Sequence, residues 1–145
     1  MSPPTAYPGS GLGLPSSGPG SVATFGRRLV AVVLDWLLCQ VIAYAVLGVE
    51  WGATGWDSFG PLAIFALENV LLVSTLGATV GHRVLGLQVR ALGSSGDQEV
   101  AAAPGLVAGT IRTALLCLVI PAVLPDSDNR GVHDRAARTV IVRSR

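Results

Sequence analysis

The stretch GRRLVAVVLDWLLCQVIAYAVLGV, residues 26 to 49, decides the fold. From Leu29 to Val49 the side chains are apolar, small or aromatic, with Asp35 and Gln40 as the strongly polar exceptions. At about 1.5 Å rise per residue a helix over this run is roughly 31 Å long, enough to cross the hydrocarbon layer of a bilayer. A continuous apolar run of this length reads as a membrane-spanning helix rather than the core helix of a soluble domain. An aspartate inside it is costly and calls for a partner or a task.

The rest of the chain agrees with that reading. Of 145 residues, 50% are hydrophobic and 13% charged, and the mean hydropathy is +0.58. A soluble domain carries about 25% charged residues, so this chain has too little charge to coat a water-facing surface. The net charge of +1 gives no basic field for a nucleic-acid partner. Cys39 and Cys117 both lie in apolar runs and read as buried, hydrophobe-like thiols. No CxxC or Cys/His spacing suggests a metal, and no nucleotide fingerprint suggests a cofactor.

Residues 1–25 hold five of the nine prolines and no charged side chain. By composition this segment is a disordered or extended tail, able to serve as a linker or as a strap along a partner protein. It lacks the basic start and continuous apolar stretch of a signal peptide. Residues 26–143 form the transmembrane domain. A second span is expected from Pro61 to Val80, after a loop bearing Trp51, Trp56, Phe59, Glu50 and Asp57. Arg27 and Arg28 flank the other end of the first span, so the positive-inside rule places the N-terminus in the cytoplasm. LQVRAL (87–92) and RTVIVR (138–143) alternate as short strands do and could pair if both lie on one side. The apolar segment 103–125 contains Arg112 and ends at Pro121 and Pro125. The arginine-rich tail that follows favours a re-entrant segment over a full crossing. The fold class expected is therefore an all-α membrane protein, with two clear transmembrane helices, a third spanning or re-entrant helix and short cytoplasmic strands.

Arg28 and Asp35 lie seven positions apart, nearly two helical turns, and share a face. Gly77, Thr79, Gly81, Arg83 and Gly86 follow the second span. Arg112 sits in the third segment, and Gly131, His133, Asp134 and Thr139 close the chain. In this order and spacing these residues resemble the RDD family of bacterial membrane proteins, over about residues 24–143. The resemblance implies a multi-pass protein of the bacterial inner membrane, and transport is a suspected activity of the family. His82 stands where the family often has a lysine, and RAART (135–139) replaces a run of small residues.

Depth arithmetic puts Asp35 about 9 Å and Arg112 about 13 Å from the cytoplasmic side, so the two are expected to pair. Glu68, about 18 Å deep, is out of reach of Asp35. The bland role for these charges is a staple between helices. The sharper one is a cation or proton path through Asp35 and Glu68. His133 and Asp134 suggest a catalytic dyad only superficially, because no nucleophile or oxyanion motif accompanies them. GATVG, TLGAT and GLVAG offer small residues for close helix packing. Two or three helices make a poor solitary transporter. The expected function is therefore a non-enzymatic accessory or assembly subunit of a larger membrane complex, with a respiratory complex as one host. The alternative is an oligomeric cation/proton antiporter or small-solute transport protein. The partners implied are membrane lipids, with other integral subunits or further copies of the chain.

Overall fold

The computed structural model describes residues 6–93, 103–118 and 129–145. The first long helix, α1 (Phe25–Leu47), follows an extended Thr24 and ends at Gly48, whose left-handed φ of 65° closes it. Its buried face is Arg28, Ala31, Asp35, Cys39 and Ala43, the three- and four-residue spacing of one helical stripe. Around it, Leu29, Val33, Leu37, Val41 and Val46 are exposed. Small and polar groups face inward and large apolar groups face outward. That arrangement suits a lipid surround, where apolar outer faces carry no penalty.

The second rod, Gly55–Leu76, is also long and apolar enough to cross a membrane. It begins with a 3-10 turn (Gly55–Phe59), continues as α2 (Gly60–Glu68) with Pro61 in the first turn, passes through a π turn (Asn69–Val73) and closes as α3 (Ser74–Leu76). Asn69 is buried at the start of the π turn, and its side-chain amide donates to the Phe65 carbonyl at 3.0 Å. The extra backbone turn lies where the rod meets the third apolar helix, in keeping with the association of π turns with special contacts. At the far end Trp51 and Trp56 are exposed, Trp56 by 90%.

After Gly77, at φ 68°, come α4 (Val80–Val84) and β1 (Leu87–Ala91). The third apolar helix, α5 (Gly105–Cys117), has 13 residues. At about 1.5 Å each it is roughly 20 Å long, short of a complete crossing. The remainder of the segment proposed to span or re-enter lies outside the described residues. The chain ends with α6 (Val132–Ala136) and β2 (Thr139–Arg143). β1 and β2 pair antiparallel, Leu87 opposite Arg143 and Ala91 opposite Thr139.

The tail departs from the expectation of a disordered or free extended segment. The Ala23 amide donates to the Ile141 carbonyl at 2.9 Å, Arg143 donates to Ser21 at 2.9 Å, and Gly20 donates to Arg143 at 2.8 Å. Residues 20–23 therefore lie along the free edge of β2. The reason is visible in β2 itself, where TVIV is buried on both faces. Ile141 faces a cluster with Ala31, Val73 and Val89. Val140 and Val142 face Leu14, Leu12 and Val22 of the tail. A strand apolar on both faces needs cover on both, and the tail supplies the second cover.

Two glycines set the helix packing. A Cβ at Gly81 would collide with the Ala31 carbonyl oxygen of α1, and one at Gly109 would collide with the Ser74 hydroxyl. α4 thus rests on the backbone of α1, and α5 crosses the second rod at α3.

Candidate functional site

Around the N-terminal third of α1 the inward faces of α1, α4, α5 and α6 bring together a buried polar cluster. It has two halves. In the first, Thr79 caps α4: its hydroxyl accepts from the His82 amide at 3.2 Å. The same hydroxyl donates to Asp35 Oδ2 at 2.5 Å and lies 2.5 Å from His82 Nδ1. The Gly81 amide donates to Asp35 Oδ1 at 2.6 Å. Both oxygens of Asp35 are thus engaged by the first turn of α4.

The second half is centred on Asp134, which is 0% exposed. Gly131 precedes α6, and the Asp134 amide donates back to the Gly131 carbonyl at 3.0 Å, placing the carboxylate in the first turn and aimed inward. Arg112 Nε donates to Asp134 Oδ1 at 2.9 Å. Arg28 pairs with the other oxygen, Oδ2, and donates to the Asn129 carbonyl. His133 Nε2 lies 3.5 Å from Oδ1, and the Thr139 hydroxyl contacts the Asp134 carbonyl and carboxylate at 3.4 Å. One carboxylate therefore ties α1, α5, α6 and the start of β2.

This corrects the expected pairing of Asp35 with Arg112. Asp35 is taken up by Thr79 and Gly81, and Arg112 is bonded to Asp134. Glu68 lies apart from the cluster, half-buried, and accepts from Cys39 Sγ at 3.2 Å. Cys117 packs on the cluster of Cys39, Phe65 and Leu116, and both thiols are free. Arg83 is exposed and Gly86, at φ 64°, serves the turn into β1. Their part is structural: Arg145 donates to the Arg83 carbonyl at 3.2 Å and packs over Gly86.

The electrostatics follow the geometry. Burial pushes the Asp134 carboxyl up, but the charges of Arg112, His133 and Arg28 and the Arg112 hydrogen bond outweigh it and hold the group down at about 2. Burial pushes His82 down, and the positive Arg112 and Arg28 add to this against the pull of Asp134, leaving it at about 3. His82 is thus a neutral imidazole at physiological pH. Among the described residues no group of three His, Cys, Asp or Glu side chains converges as a metal site requires.

The RDD family model matches residues 22–138. The chain belongs to the RDD family. No curated protein and no solved structure matches it. It is thus an RDD membrane protein, mostly helical, with two helices long and apolar enough to span.

Of the residues that carried the resemblance, Arg28, Asp35, Thr79, Gly81, Arg112, His133, Asp134 and Thr139 meet in the cluster, while Gly77, Arg83 and Gly86 shape the turns leading into it. His82 was noted in the sequence only as a departure from the family pattern, yet it is 1% exposed and central. Its signal was the spacing Thr79-x-x-His82, which lets a capping hydroxyl meet the side chain three residues on. The Asn129 carbonyl carried no signal, since backbone groups have none.

Beside the cluster is a cavity of about 270 Å³ between α1, α2 and α5, walled by Phe25, Leu29, Val32, Trp36, Phe65 and Leu116 and reaching Arg28, His82, Arg112 and His133. Trp36 and Phe65 meet edge to face, with centroids 5.8 Å apart.

Proposed function

We propose that this RDD protein is a non-enzymatic accessory or assembly subunit of a larger complex in the bacterial inner membrane, multi-pass and with its N-terminus in the cytoplasm. The observation that carries this reading is the Arg28–Asp134–Arg112 pairing. A buried carboxylate held between two arginines from different helices is a fastener, since its charge ties α1 and α5 to α6. The second support is the outward face of α1, which carries large apolar side chains along its length. Most of the apolar stretch of each long helix is left uncovered by the described residues. The basic groups near the start of α1 and in the C-terminal strand set the orientation.

A second reading is an oligomeric cation/proton antiporter or small-solute transport protein. It draws on one observation: Asp35 and Cys39 on the buried face of α1, with Glu68 of α2 accepting from Cys39, form a line of polar groups. Copies of the chain would have to complete the path.

Native mass spectrometry of protein gently extracted from its own membrane separates the two. Stoichiometric co-purification with larger, unrelated membrane subunits is the result expected. A homo-oligomer that drives cation flux in proteoliposomes, lost on Asp35→Asn, would replace the first reading with the second.

A further inference from the structure

The cavity beside the charge cluster has the form of a binding site and is not used by either reading. Leu29, Val32 and Trp36 line it from one face of α1, together with Phe25 one turn earlier. Phe25 and Trp36 are 11 positions apart, which at about 1.5 Å per residue makes a trough roughly 16 Å long. Phe65 and Leu116 form the opposite walls. The polar part of the lining is Arg28, His82, Arg112 and His133, with no carboxylate among the described lining residues.

Two of these groups have unused hydrogen-bonding capacity. Arg112 and His82 are each 1% exposed, and Arg112 Nη1 and His82 Nε2 have no hydrogen-bond partner among the described residues. A buried guanidinium N–H left unpaired is costly and suits an anionic acceptor. The volume of about 270 Å³ falls just below the roughly 300–1,000 Å³ of typical ligand sites. It has room for one slender chain and not two.

We propose that this cavity binds a single-chain anionic amphiphile of the fatty-acid class. The carboxylate meets Arg112 Nη1, and the alkyl chain lies along Leu29, Val32, Trp36 and Phe65. The head lies at the level of the charge cluster and the tail runs along the lipid-facing helices, so the ligand enters sideways from the bilayer. The trough length and apolar walls select a chain. The unpartnered Nη1 of Arg112 selects its charge.

Trp36, in the cavity wall, provides the readout. The full chain carrying Trp51→Phe and Trp56→Phe, so that Trp36 is its one remaining tryptophan, is reconstituted in nanodiscs of zwitterionic lipid and titrated with 9,10-dibromostearic acid. Saturable quenching is expected, at least tenfold weaker with the methyl ester, which keeps the chain and removes the charge. Val32→Phe, which fills the trough and leaves every charged group in place, is expected to abolish the saturable component. Arg112→Gln is expected to weaken it, but because Arg112 also holds Asp134, Val32→Phe is the decisive variant. Equal quenching by acid and ester, or quenching that never saturates, would show partition into lipid only and overturn the proposal. Equal competition by an anionic phospholipid would assign the site to a bilayer lipid headgroup and overturn it as well. Saturable quenching that survives Val32→Phe would place the site elsewhere, with the same consequence.

Discussion

Arg112 on α5 donates through Nε to Asp134 on α6 at 2.9 Å, across 22 positions of sequence. The aspartate at the heart of the fold is therefore the one near the C-terminus, and Asp35 serves a different element. Asp35 anchors α4 through Thr79 and Gly81, while Asp134 draws the arginines of α1 and α5 onto α6. Removing one partner of a buried pair strands a charge and costs more than the pair itself contributes, so Asp134 is the position at which the fold is most sensitive to a single change.

His82 makes stability depend on pH. Its folded-state value of about 3 lies below the roughly 6.5 of an unfolded histidine. Between those values the unfolded chain binds the extra proton, so stability falls as pH falls from about 6.5 towards 3. The slope is at most about 1.4 kcal/mol per pH unit. Asp134, depressed to about 2, adds a further loss below about 4, where the unfolded carboxyl takes up its proton first. Thermal unfolding in detergent at pH 7.5, 6 and 5 checks this. His82→Gln is expected to flatten the profile between pH 6.5 and 5 while leaving the acid limb below pH 4.

Gly81→Ala and Gly109→Ala are expected to differ in cost. At Gly81 the new methyl meets the Ala31 backbone carbonyl, which cannot move without shifting α1. Overpacking of that kind costs about 1–3 kcal/mol. At Gly109 the obstacle is the Ser74 hydroxyl, which can rotate away. Gly109→Ala should therefore cost less, and adding Ser74→Ala should recover most of the loss. Midpoints of thermal unfolding in detergent, compared across the three variants, measure the difference.

The tail contributes to the fold itself. Deleting residues 2–22 removes the Ser21 carbonyl that accepts from the Arg143 amide and uncovers Val140 and Val142. Hydrogen exchange at Arg143 is expected to accelerate at least tenfold, with no comparable change in the middle of α1. Unchanged protection at Arg143 would show that the tail is a passive extension.

Much of this architecture was legible in the sequence. The run after Arg28 specified α1, because 21 residues with so few polar side chains are long enough to cross a bilayer as a helix. The alternation in LQVRA and TVIVR marked both strands and their pairing on one side, while the antiparallel register came only from the structure. The partner of Arg112 was not legible. Depth along a helix axis says how far in a charge lies and not which carboxylate faces it, and Asp134 reaches the cluster from a five-residue helix outside any span. The course of the tail was hidden for a related reason. Composition describes a segment alone, whereas residues 20–23 are ordered by the open edge of β2, and Leu14 by its apolar second face. His82 combined both difficulties, since its neutrality depends on burial against α1 and on the charges of Arg112 and Arg28.

Asp134, not Asp35, holds Arg112. A double-mutant cycle on unfolding free energy in detergent tests it directly. Asp134→Asn alone is expected to destabilise by roughly 3–5 kcal/mol, and Asp35→Asn by about 1–3 kcal/mol through weakened hydrogen bonds to Thr79 and Gly81. Combining Arg112→Gln with Asp134→Asn should show a coupling on the order of 0.5–3 kcal/mol. The same change combined with Asp35→Asn should be nearly additive. A larger coupling of Arg112 to Asp35 than to Asp134 would show that Asp35 is its partner instead.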